Sequence, residues 1–108
     1  MQKLYILNSG GTINKFYNET SGTLDIAQNN DVIEEIVEKS FRGNLNLEIE
    51  GIVYKDSLDL TLEDRKKLLG KIKNNYKTIL VHGTDTMDLT AKFLDDNCED
   101  KIVILTGA

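Results

Sequence analysis

Short apolar runs alternate with amphipathic stretches along the chain. "KLYIL" (3–7) reads as a first strand. After a polar loop, "NDVIEEIVEKSF" (30–41) sets Val32, Ile33, Ile36 and Val37 on one face, the period of a helix. Asp31 and Glu34 in it are spaced as a capping box. "NLEIEGIVY" (46–54) alternates Leu47, Ile49, Gly51 and Val53 and reads as the second strand. "TLEDRKKLLGKIKNNY" (61–76) opens on Thr61 followed by Asp64, a cap-like start, and aligns Leu68, Leu69, Ile72 and Tyr76. "KTILVH" (77–82), "TMDLTAKFLDDN" (86–97) and "KIVIL" (101–105) then read as third strand, third helix and fourth strand.

Strands that alternate with helices over short loops predict parallel pairing through right-handed crossovers. Strands one, three and four show little period-2 alternation, as expected of a sheet covered on both faces. The predicted fold is α/β, a small doubly wound parallel sheet of four strands with three helices. Its expected strand order is 2-1-3-4, a flavodoxin-like arrangement without the last strand. The first helix then covers one face and the second and third cover the other. Part of the sheet built from "YIL", "ILV" and "IVIL" is left facing water, and strand four is an open apolar edge. A chain with that surface is expected to work as a homo-oligomer (a dimer) or against a partner chain. No linker or repeat divides it, so 1–108 reads as one domain, with no C-terminal domain.

Composition narrows the classes. The 108 residues are 40% hydrophobic and 29% charged, an ordinary globular balance. A net charge of -5 argues against nucleic acid, so the cationic run "EDRKKLLGKIKNNYK" is read as the wet face of a helix. "IVIL" is far too short to span a bilayer, and "MQKLYILNSGG" lacks the pattern of a signal peptide. Cys98 is the only cysteine, which excludes an internal disulfide and suits a reducing compartment; it reads as a partly buried free thiol. His82 is the only histidine, and no Cys/His cluster has metal-ligand spacing. These features point to a cytoplasmic protein with neither metal nor cofactor.

In such sheets ligands bind beyond the carboxyl ends of the strands. Those ends read Asn8-Ser9-Gly10-Gly11-Thr12, Lys55-Asp56-Ser57, His82-Gly83-Thr84-Asp85-Thr86 and Thr106-Gly107-Ala108. Glycines let a substrate approach the backbone and leave N–H groups free for anions. A threonine hydroxyl is a nucleophile once its proton is removed, and Asp85 is suited to an ammonium group. Singly, each string has a structural reading. Gly10-Gly11 is a common turn, Asp56-Ser57 a cap or turn before Thr61, and Thr84 to Thr86 are N-caps for the third helix. All four at one sheet edge favour a site holding two candidate nucleophiles, Thr12 and Thr84.

The same strings resemble the bacterial-type L-asparaginases. "GGTI", "DSLDLT", "HGTDTM" and "VILTGA" follow or end successive strands in the family's order and spacing. The match covers this whole chain but only the opening part of the family's large domain. The resemblance implies that Thr12 is the nucleophile that attacks the side-chain amide. Thr84 is then a second catalytic threonine, assisted by Asp85. It also implies that Ser57 and Asp85 grip the α-carboxylate and α-ammonium of the amino acid. On the same resemblance Gly11, Asp56 and Gly83 would line the substrate, and the backbone of Ala108 would lie beside the amide.

Three family features stand differently. The lysine that partners the second threonine lies well after the "GA" strand. The mobile-loop tyrosine has Thr23 near its place, with Tyr17 as a candidate substitute. The glutamine that often follows the substrate serine is Leu58. Two expectations follow. One is an asparaginase-like amidohydrolase that releases ammonia from asparagine or a related small amide, slowly and without a cofactor. The other is a catalytically impaired module that keeps the pocket to bind an amino acid or to dock a partner.

Overall fold

The computed structural model describes residues 3–40, 47–75 and 77–107. The sequence expectations for Phe41, Asn46, Tyr76 and Ala108 lie outside them. Four parallel strands form one sheet: β1 (Leu4–Gly10), β4 (Leu47–Lys55), β5 (Lys77–Val81) and β6 (Ile102–Thr106), in the order β4-β1-β5-β6. This is the expected 2-1-3-4. Between β1 and the first helix the chain adds an antiparallel hairpin, β2 (Lys15–Asn18) with β3 (Thr23–Ile26), where the sequence reading had a polar loop. Phe16, Tyr17 and Leu24 in it are exposed, so it carries no buried-face signal.

The helices are α1 (Asp31–Ser40), α2 (Leu62–Lys73) and α3 (Met87–Asn97). In α2 the Thr61 hydroxyl accepts from the Asp64 N–H (3.1 Å) and the Asp64 carboxylate accepts from the Thr61 N–H (3.0 Å). The cap-like start is a full capping box. Burial pushes the Asp64 carboxyl up, but the Lys55 ammonium at 2.9 Å and the Thr61 donors outweigh it and hold it below the usual range. The Asp31/Glu34 box at α1 does not form. Asp31 is already helical, and the Asn29 side chain accepts from its N–H at 3.1 Å.

Two cores flank the sheet. Tyr5, Leu7 and Leu80 pack with Leu68 and Ile72 of α2 and Leu94 of α3, while Val103 and Leu105 extend the cluster along β6. On the opposite face Ile6 and Val81 meet Ile33 of α1, with Ile13, Val37, Ile49 and Ile79 around them. Each fully buried aliphatic side chain contributes about 1.5–3 kcal/mol. The second face is covered only in part. Ile102 and Ile104 are 45% and 57% exposed, so β6 is not covered on both faces but alternates between packed and wet positions, the open face expected where no helix lies over "IVIL".

Two irregularities aim the strand ends. β1 runs three residues beyond its predicted end, because the Asn8 carboxamide accepts from Gly10 N–H (3.0 Å) and the Ser9 hydroxyl donates to Val81 C=O (2.6 Å). β4 carries a bulge. Asn8 pairs with Gly51, but Gly10 pairs with Lys55, so extra residues around Val53 (φ 61°) are looped out. The bulge brings the end of β4 beside Gly10 and sends Asp56 and Ser57 onto the carboxyl edge.

Candidate functional site

Three backbones meet at that edge. A methyl group on Gly11 would stand 2.7 Å from Gly83 N and 2.8 Å from Gly83 Cα. One on Gly83 would stand 2.9 Å from both Cβ and Oγ of Ser57. The ends of β1, β5 and β4 therefore stack as Gly11, Gly83 and the Ser57 side chain, leaving no room for a Cβ on either glycine. Gly11 also has φ +89°, a conformation other residues rarely adopt. The fourth string joins through Gly107, where an added methyl would collide with His82 C=O, while His82 N–H donates to Thr106 C=O at 2.9 Å.

The expectation that the first glycine pair leaves its N–H groups free is corrected. Gly10 N–H donates to the Asn8 side chain, and Gly11 N–H donates to Lys55 C=O at 3.1 Å. These donors hold β1 to itself and to β4. The glycines serve close approach rather than anion binding.

Thr12 opens a single 3-10 turn, Thr12–Asn14, directly beyond Gly11, and is exposed. Asn14, fully buried, anchors that turn by donating to Ala27 C=O (2.8 Å) and Asn29 C=O (3.2 Å) at the far end of the hairpin. Asp56 caps a second short turn, Ser57–Asp59, accepting from Leu58 N–H at 3.2 Å and pairing with Lys15 at 3.1 Å. The Leu58 N–H first, and Lys15 after it, hold its carboxyl below the usual range. Ser57 is 1% exposed, and its hydroxyl has no hydrogen-bond partner among the described residues. A buried hydroxyl left unpaired costs about 1–3 kcal/mol, so it needs an explanation.

Thr84 and Asp85 are exposed between β5 and α3. The capping alternative fails for Thr86, the N-cap position of α3, which makes no side-chain cap bond. Its hydroxyl instead donates to Ser57 C=O at 2.8 Å and accepts from the Arg65 guanidinium at 3.0 Å. Arg65 also donates to the Thr90 hydroxyl (2.8 Å), which meets His82 Nε2 at 2.7 Å; His82 Nδ1 lies 2.6 Å from Gly83 C=O. A carbonyl only accepts, so Nδ1 carries the proton and Nε2 accepts from Thr90. Burial pushes the His82 pKa down; the Gly83 carbonyl opposes that shift and the Arg65 charge adds to it.

Sequence reasoning missed Arg65 and Thr90. Arg65 was placed on the wet face of its helix, whereas it turns inward onto α3. Its partners are 21 and 25 residues away, and no local pattern points to them. Tyr17 stands 61% exposed on β2, and Thr23 donates to Asp25 at 2.9 Å. Cys98 is a partly buried free thiol, as expected. Among the described residues no helix is long and apolar enough to cross a membrane.

A parallel α/β sheet whose carboxyl edge gathers glycines, hydroxyls and a carboxylate defines the class of fold. Residues 3–108 match the family model of the asparaginase N-terminal domain, and the chain belongs to that family. It is similar in structure to the thermostable L-asparaginase from Thermococcus kodakarensis, with TM-score 0.82 and 25% identity over 98% of this chain and 34% of that one. The probable cytoplasmic L-asparaginase from Campylobacter jejuni gives TM-score 0.82 and 33% identity over 100% of this chain and 35% of that one. L-asparaginase I from Vibrio cholerae gives 0.78 and 25%, over 98% and 34%. The chain thus spans about a third of the length of these structures. No match was found among curated proteins.

Proposed function

We propose that this edge is the active site of an amidohydrolase acting on asparagine or a related small amide. In this reading the Thr12 Oγ attacks the side-chain carboxamide, ammonia leaves, and the resulting ester is hydrolysed by water to aspartate, without a cofactor. Thr84 is the second catalytic threonine and Asp85 holds the α-ammonium. Ser57 grips the α-carboxylate, and Gly11, Asp56, Gly83 and Ala108 line the substrate.

The observation that supports this most is the stack of Gly11, Gly83 and Ser57. It puts Gly11, beside Thr12, against Gly83, beside Thr84, and Gly83 against the buried, unpaired Ser57 hydroxyl, to which a substrate carboxylate would give a partner. Family membership and the L-asparaginase neighbours support the same substrate class.

A second reading, binding without turnover, is favoured by one feature. Among the described residues no base hydrogen-bonds the Thr12 hydroxyl, and base assistance is typically worth about 10²–10⁴-fold. Ammonia release from asparagine, glutamine and simple amides, run beside Thr12→Ala, separates the two. The amidohydrolase reading expects slow release that Thr12→Ala abolishes. Release that survives Thr12→Ala contradicts the nucleophile, and aspartate binding without any release supports the second reading. A cytoplasmic setting and self-association through the uncovered β6 face complete the proposal, the latter supported by exposed Ile102 and Ile104.

A further inference from the structure

We propose that Arg65 is a positioning residue for this site, a clamp that sets the approach of the Ser57 turn to the start of α3. The inference rests on the function proposed above and adds to it a residue from outside the strand-end strings. One guanidinium reaches three places. Its Nε donates to Thr90, one terminal nitrogen donates to Thr86, and the other to Leu60 C=O at 3.4 Å. Thr86 passes a hydrogen bond on to Ser57 C=O, and Thr90 passes one on to His82 Nε2, whose other ring nitrogen donates to Gly83 C=O.

The direction of every bond in this network is fixed. Arginine only donates, and both terminal carbonyls only accept, so each threonine hydroxyl has one incoming and one outgoing hydrogen bond. The two branches end on Ser57 and Gly83, the pair that stack at the carboxyl edge. Thr84 and Asp85 lie between Gly83 and Thr86, so both ends of that short segment are tied through Arg65. Lysine cannot reproduce the fork, because its single ammonium cannot supply three donors spread over a plane.

The test uses Arg65→Met, which keeps the stem, and Arg65→Lys, which keeps the charge, in the intact protein. Two measurements are made: KM and kcat for asparagine, and amide hydrogen exchange. Exchange at Leu60, Met87 and Thr90 reports the clamped turns, since these N–H groups donate to Ser57, Thr84 and Thr86 carbonyls. Leu7 and Leu80 report the sheet. Loss of charged hydrogen bonds predicts about tenfold faster exchange at the first group only. It also predicts an about tenfold higher KM, because Ser57 and Asp85 hold the substrate, with any accompanying fall in kcat coming from Thr84 in the same tied segment. Arg65→Lys should recover part of both. Faster exchange spread evenly over all these amides marks a merely structural role and overturns the proposal. So does local opening with an unaltered KM, or a loss confined to kcat. If the unsubstituted protein releases no ammonia, aspartate affinity replaces KM. If it binds no aspartate either, the function proposed above fails and the exchange pattern alone decides the role of Arg65.

Discussion

Replacing Gly11 by alanine isolates the contact on which the site is built. Two costs are added at once. The φ of +89° with ψ of -178° is a region essentially restricted to glycine, unfavourable for an L side chain by about 1–3 kcal/mol. The new methyl would also lie 2.7 Å from Gly83 N and 3.2 Å from His82 C, both backbone atoms that cannot swing aside. Overpacking of that kind costs about 1–3 kcal/mol, giving roughly 2–6 kcal/mol in total. That is a large part of the stability expected for a domain of this size.

Two other glycines separate the contributions. Gly22 has φ +70° with no atom near its missing side chain, so Gly22→Ala should cost only the backbone share, about 1–2 kcal/mol. Gly70, inside α2 with open space around it, should tolerate alanine with a gain of about 0.5–1 kcal/mol. Urea denaturation followed by circular dichroism measures all three. If Gly11→Ala costs no more than Gly22→Ala, the ends of β1 and β5 do not touch and the strand ends do not converge.

Other outcomes follow from the same geometry. His82 is held neutral, so the unfolded chain binds more protons than the folded one between the lowered folded pKa and the ordinary 6.5. Stability should therefore rise with pH through that window, and the His82 contribution is lost as pH falls from 6.5 to the folded pKa and levels off below it; an NMR titration of the ring with a midpoint at or above 6.5 would contradict this. Thr61→Ala removes one side of the α2 capping box and should cost about 1 kcal/mol in urea midpoint analysis. An unchanged midpoint means the box contributes nothing. Light scattering at micromolar concentration should show self-association that Ile104→Lys weakens; a monomer before and after substitution refutes the role given to the β6 face.

Much of the frame was legible in the chain. The order of strands followed from short apolar runs separated by helices, because crossover handedness leaves few alternatives. The four strings were legible because glycine, hydroxyl and carboxylate have little reason to gather beyond buried strands. Other features depended on contacts that no window of sequence contains. The Lys15–Asn18 and Thr23–Ile26 hairpin exposes its apolar side chains, so no buried face marks it. The bulge near Val53 is a register fact between β1 and β4, invisible in "EGIVY" alone. Arg65 sits among Lys66, Lys67 and Lys71, and only the placement of Thr86 and Thr90 on a neighbouring helix shows which cation turns inward.

The most direct test of the chemistry is to catch the covalent intermediate. Protein mixed with asparagine, quenched in acid and digested, is examined by mass spectrometry for one aspartyl group in ester linkage. The expected result is that group on the peptide containing Thr12, absent from Thr12→Ala. Turnover accompanied by an adduct on Thr84, or by none on Thr12 under conditions that trap the ester, would contradict the assignment of Thr12 as nucleophile.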